Sequence, residues 1–229
     1  NAFQELLVKA KIKRLVVLID DLDRCLPKTA IETLEAIRLF IFLPKTAFII
    51  GADEAMIEYA VKEHFPDLPE SVIAQGYAKS YLEKLIQIPF RIPVLGETEM
   101  RIYVSLLLIG SVIGEDSVGF EQLLKKAKEL LAKPWEGKTL SDTDIKTILT
   151  RHESYNQSVS SAIILANQIS PILASGTKGN PRQAKRFINA LNLRLSVSQA
   201  RGFGDVIKLQ VLAKLMLAER FFPSSVFEH

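Results

Sequence analysis

The stretch Leu15–Pro27 reads LVVLIDDLDRCLP, an apolar run that ends in three aspartates, Asp20, Asp21 and Asp23. Apolar residues on both faces of a short run predict a central strand of a parallel sheet. Open parallel sheets bind ligands at the carboxyl ends of their strands, which is where Asp20 and Asp21 fall. A carboxylate there can hold Mg²⁺, commonly through water, beside the phosphates of a nucleotide. A second carboxylate next to it can polarise an attacking water. Clustered like charges repel unless a cation balances them, so a metal–phosphate role explains the pair better than helix capping does. Asp23 is expected to cap the helix that follows.

Outward from this stretch, residues 3–14 have helical spacing and PKTAIETLEAIRLFIFL continues as a helix with Pro27 in its first turn. TAFIIGAD predicts a second buried strand, EAMIEYAVKEHF a helix stopped by Pro66, SVIAQGYAKSYLEKL a further helix, and IQIPFRIPVL a proline-marked third strand. Strand–helix–strand order predicts an α/β fold: a partial parallel sheet over residues 1–96, followed by an all-helical domain over 97–229. The segments ETEMRIYVSLLLIGSVIG, GFEQLLKKAKELLAK, SVSSAIILANQIS, PRQAKRFINALNLRLSVSQA and DVIKLQVLAKLMLAERFF carry the helical pattern there. The apolar run Tyr103–Gly114 is too short to span a bilayer and suits a buried helix. A formal charge of +3 is too small to imply nucleic acid by itself. Cys25, the single cysteine, fits a reducing, cytoplasmic setting and is expected to be buried and inert. His64, His152 and His229 have no metal-ligand spacing.

VVLIDDLDRC, AFIIGADEAMIEYAV, YLEKLIQIPFRIP and GNPRQAKRFINAL occur in that order, and together they resemble the KAP group of P-loop NTPases, relatives of the STAND and AAA+ ATPases. The resemblance implies ATP and Mg²⁺ as ligands. It makes Asp20 the Walker B acid at the metal, Asp21 the group that polarises water, and Asp53 a sensor of the γ-phosphate. Capping of the next helix is an equal alternative for Asp53. Lys84 and Arg91 sit where related ATPases place a basic residue facing a neighbour, but solvated surface charge is the preferred reading. Soluble, bacterial, anti-phage-defence members are the nearest in character. A distant alternative is the D-x-D of haloacid dehalogenase-type phosphatases, with Asp21 as nucleophile and Asp23 as general acid. Those enzymes follow the motif with Gly-Thr or Gly-Val, whereas Arg24-Cys25 stands here.

No G-x-x-x-x-G-K-[ST] occurs in the 229 residues. The phosphate loop is therefore expected upstream, in a longer parent, and no ATP or Mg²⁺ is expected to bind this piece alone. The resemblance places the missing strand between the second and third strands read here. AFIIGA then still pairs with RLVVLI, while IQIPF loses its neighbour and leaves an apolar edge prone to self-association.

From Lys178 to Arg201 the charges are all positive: Lys178, Arg182, Lys185, Arg186, Arg194 and Arg201. Asn180 can cap and Pro181 can start a helix there. The resemblance favours a lid helix that brings Arg182 or Arg186 to nucleotide phosphates. A module that binds nucleic acid or a protein through this helix is the alternative.

Overall fold

The computed structural model describes residues 2–40, 43–66, 76–204 and 206–222. The chain divides into two compact units, Asn1–Arg91 and Ile92–His229. The described residues are mostly helical and include one two-stranded parallel sheet.

In the first unit, β1 (Leu15–Ile19) and β2 (Thr46–Ile50) pair in parallel, with Leu15 opposite Thr46 and Ile19 opposite Ile50. This is the pairing expected of RLVVLI and AFIIGA. The helices are α1 (Ala2–Lys9), α2 (Pro27–Phe40), α3 (Glu54–His64) and α4 (Tyr77–Leu85). Ile31, Leu34, Ile57, Val61 and Leu85 form a core against which Ile19, Phe48 and Ile50 of the sheet pack. Tyr81 on α4 donates a hydrogen bond to Glu35 on α2 (2.5 Å). Burial, and then the Glu35 carboxylate, push the Tyr81 hydroxyl pKa upward.

Four expectations are corrected in this unit. Both strands were expected to be buried on both faces, but burial alternates along each, and Val16, Leu18 and Ile49 are exposed. Within the described residues, helices cover one face only. IQIPFRIPVL forms no strand: residues 86–95 are irregular. Pro89 and Pro93 cannot donate to a ladder, and no described strand offers them an edge. The first helix ends at Lys9, and Lys11 takes a left-handed conformation (φ 54°). Asp23 lies inside a 3-10 turn, Leu22–Arg24, instead of capping α2. Residues 71–75, read as helical, fall outside the described residues.

The second unit contains α5 (Glu97–Ile113), α6 (Val118–Leu131), α7 (Asp142–Arg151), α8 (Gln157–Gly176), α9 (Pro181–Ala200) and α10 (Leu209–Phe221). The first four helical segments read from the sequence after residue 96 are helices; the fifth, DVIKLQVLAKLMLAERFF, becomes helical only at Leu209, and its Asp205 lies outside the described residues. Helices α5 and α8 lie against each other through Met100, Ile109, Leu165 and Ile169, and Phe187 and Leu191 of α9 join the same core. By length and composition α8 could cross a bilayer, but Leu165, Ile169 and Leu173 bury it in this core.

Helix α7 was missed because the loop before it is so polar, although its start was marked in the sequence. Ser141 caps Asp144 N–H and Asp144 returns a carboxylate to Ser141 N–H, closing a reciprocal box. The Ser141 hydroxyl also donates to Asp144 (2.6 Å), and this bond holds the carboxyl pKa below its ordinary value. A depressed folded pKa gives stability that is present above the unfolded carboxylate pKa, near 4, and is lost as pH falls through the folded value. Asp144→Asn should therefore cost about 1 kcal/mol at neutral pH in urea titrations. The gap to wild type should close as the solution is acidified through and below the ordinary carboxylate range.

Candidate functional site

The site is built from the last rung of the sheet. Gly51 N–H donates to the Ile19 carbonyl (2.7 Å), so Asp20 leaves β1 beside Gly51. One oxygen of Asp20, Oδ1, accepts the Asp21 N–H (2.9 Å). A Cβ on residue 51 would stand 2.9 Å from that same oxygen, so glycine here leaves the carboxylate its position. Among the described residues, Asp20 Oδ2 takes no hydrogen bond. Asp21 adopts a left-handed conformation (φ 58°, ψ 25°), which turns the chain into the 3-10 turn. Its carboxylate pairs with Arg24 Nε at 3.0 Å. Both side chains are largely exposed, so this pair contributes little and opens readily.

Asp53 lies three residues beyond the end of β2, at the same carboxyl end of the sheet as Asp20. Its Oδ1 accepts from Ala55 N–H (2.9 Å) and Met56 N–H (3.3 Å), the arrangement of a helix cap for α3. The capping alternative for Asp53 is therefore present in the structure. Asp20, Asp21 and Asp53 thus share one end of one sheet. Arg91 is exposed but not unpaired: its Nε and Nη2 both reach Glu54 Oε2, at 3.0 and 2.7 Å. The two residues are far apart in sequence, so no local pattern could have revealed the pair. Lys84 is exposed in the last turn of α4. Cys25 was expected to be buried and is instead exposed, because it ends the 3-10 turn at the rim of the sheet.

In the second unit, the start of α9 is fixed by three devices. Lys178 and Gly179 are both left-handed (φ 51° and 71°). Gly179 accepts the Leu95 N–H through its carbonyl (2.9 Å), and a Cβ on it would collide with the Leu95 carbonyl. Asn180 then caps the helix by accepting from Arg182 N–H (3.0 Å) and Gln183 N–H (3.3 Å), and Pro181 begins it. Arg182, Lys185 and Arg186 project from this anchored turn, exposed and without an ion pair among the described residues. Arg194 is paired with Glu219 (2.8 Å).

A family model described as the KAP family P-loop domain matches residues 2–197. The chain belongs to the KAP family. It therefore carries the nucleotide-binding, NTPase-type domain of that family, and the haloacid dehalogenase reading of Asp21 and Asp23 is set aside. Neither the curated proteins nor the solved structures offer a match. KAP membership implies Mg²⁺ beside a nucleotide, and the donor set fits it. Mg²⁺ keeps most of its waters and takes one or two carboxylates plus phosphate oxygens. The described residues hold no cluster of three metal-ligating side chains, but Asp20 presents one anchored carboxylate with a free oxygen.

Two glycine substitutions test this geometry. Gly51→Ala should displace the Asp20 carboxylate while the fold is kept, seen as a large shift of the Asp21 amide resonance with few changes beyond the sheet end. Gly179→Ala meets backbone at a positive φ and should destabilise the second unit by roughly 1–3 kcal/mol in urea unfolding.

Proposed function

We propose that this chain is the Walker B half of an ATPase that hydrolyses ATP with Mg²⁺ and uses the cycle to switch conformation, in defence against phage or in signalling. The observation that carries the reading is the Asp20 carboxylate, held at the carboxyl end of β1 by the Asp21 N–H and the space at Gly51. Asp20 would hold Mg²⁺ with its free oxygen. Asp21 releases Arg24 and accepts a proton from the attacking water. Asp53 keeps Oδ1 on the α3 cap and turns Oδ2 to accept a hydrogen bond from that water beside the γ-phosphate. Mg²⁺ held there would supply positive charge that offsets the negative charge of the transferring phosphoryl group. The phosphate loop comes from residues outside this sequence.

Arg182 and Arg186 act from the second unit as lid residues. The cap and the Gly179–Leu95 clamp fix the backbone of the first turn of α9, so only the side chain of an arginine there remains to be ordered on binding. One charge-assisted hydrogen bond is worth roughly 1.5–3 kcal/mol, about ten- to a hundredfold in affinity or rate. Arg182 is nearest the cap and is assigned the phosphate contact; Arg186 supports it. A patch that binds nucleic-acid backbone is the second reading, favoured by the absence of ion pairs to Arg182, Lys185 and Arg186 among the described residues.

The isolated chain should bind ATP–Mg²⁺ weakly or not at all in calorimetry; tight binding would overturn the division of labour. In a full-length protein that includes a phosphate loop, Asp21→Asn should leave nucleotide affinity intact and slow hydrolysis at least about a hundredfold. Arg182→Ala should lower ATPase rate far more than Arg186→Ala does. If both rates hold while nucleic-acid binding falls and loses salt dependence, the lid role is wrong and the backbone-binding reading stands.

A further inference from the structure

The end of α8, the start of α9 and the end of α10 meet at one place. Phe221 of α10 lies against Gly176, the last residue of α8, where a Cβ would collide with its ring. Two residues after Gly176 comes Lys178, and Asn180 and Pro181 then start α9. Phe221 therefore sets its neighbour Arg220 beside the first turns of α9. The Arg220 guanidinium stands 5.7 Å from the centre of the Phe221 ring, and its Nη2 donates to Gln183 Oε1 (3.1 Å). Glu219 reaches the other way along α9 and pairs with Arg194 (2.8 Å). A cation is favoured in the last turn of a helix, which accounts for an arginine at position 220 but not for its bond to Gln183.

That bond brings Arg220 to the arginines of α9. Residues three and four apart are neighbours on a helix surface, so Gln183 adjoins Arg186, and Arg186 adjoins Arg182. Arg182, Lys185, Arg186 and Arg220 have no ion pair among the described residues, and Glu219 is taken by Arg194. Gln183 orients Arg220 with a neutral amide, so the charge of the guanidinium stays in place. Arginine is always protonated, so the cluster cannot relieve its repulsion by titrating. A bound anion relieves it. The placing of the charge selects the anion. Nucleic-acid backbone spreads single charges along its length and is met by a track of cations. Here Arg194 is neutralised, so no unpaired arginine of α9 follows Arg186. A compact group of guanidinium forks matches the oxygens of one phosphoryl group. Arg220 lies beyond residue 197, where the family match ends, so the third arginine comes from outside the matched domain.

We propose that Arg220 completes, with Arg182 and Arg186, a binding site for the terminal phosphoryl group of a polyphosphate. The proposal rests on the reading of Arg182 as a phosphate contact and adds α10 to it. It is tested by titrating the 229-residue chain with inorganic pyrophosphate at low salt and following the arginine Nε–H signals by NMR. The signals of Arg182, Arg186 and Arg220 should move and saturate together, with a dissociation constant on the order of 1 mM. Arg220→Gln should weaken binding about tenfold. Gln183→Glu, which gives Arg220 a carboxylate partner, should weaken it at least as much. Lys214→Gln removes the same charge from an exposed position of α10 and should change binding by less than about twofold. Circular dichroism confirms that each variant is folded. An Arg220 signal that does not move, or a Lys214→Gln loss equal to that of Arg220→Gln, overturns the proposal. So does a single strand of about 16 nucleotides without terminal phosphates that moves the same three signals at lower concentration than pyrophosphate. The lid reading fails separately: pyrophosphate binding that needs Arg220, together with an ATPase rate untouched by Arg182→Ala, keeps this site and removes the lid. An ATPase rate lowered by Arg182→Ala, with the Arg220 signal unmoved, keeps the lid and removes this site.

Discussion

The parallel register of β1 and β2 is the constraint on which the first unit depends. With Ile19 opposite Ile50, the next residue of one strand is a carboxylate and the next residue of the other has no side chain. A slip of one residue would turn Asp20 to the opposite face and set a side chain against it. It would also move Ile19, Phe48 and Ile50 off the core they cover. The hydrophobic packing that fixes the register therefore also places the charge. No strong ion pair is needed: the Asp21–Arg24 contact is exposed, and the backbone N–H of Asp21 does the holding.

The second unit uses a similar economy at the start of α9. Left-handed Gly179, bonded to Leu95, sets the entry of the chain, and Asn180 and Pro181 set the first turn. The buried residues Ala184, Phe187, Ile188 and Leu191 then orient the helix. Arg182 and Arg186 gain their direction from these neighbours rather than from partners of their own. The same helix further along turns Leu193 and Val197 outward.

What could be read from the sequence was what local pattern determines. Two apolar runs marked the strands, the family resemblance implied their pairing, Asn180–Pro181 marked the start of α9, and four ordered motifs pointed to the family that the match over residues 2–197 shows. What escaped depends on distant partners or on competing local rules. The Arg91–Glu54 pair joins elements far apart in the chain. In IQIPFRIPVL, the apolar pattern suggested a strand but two prolines decided against it. Cys25 follows an apolar strand and was taken for core, although the turn at Asp21 had already carried the chain to the surface. The open face at Val16, Leu18 and Ile49 was hidden for another reason: apolar residues on both sides of a strand report the need for cover, not whether the described residues supply it.

On the proposed function, Asp20 is the metal-side carboxylate and Asp21 is not. The direct measurement is the Mg²⁺ concentration that half-saturates ATP hydrolysis by a full-length protein containing this chain and a phosphate loop, compared for wild type, Asp20→Asn and Asp21→Asn. Asp20→Asn is expected to raise this concentration at least about tenfold, while Asp21→Asn lowers the maximal rate and leaves the half-saturating concentration unchanged. An unchanged Mg²⁺ requirement for Asp20→Asn, or a raised requirement for Asp21→Asn alone, would contradict it.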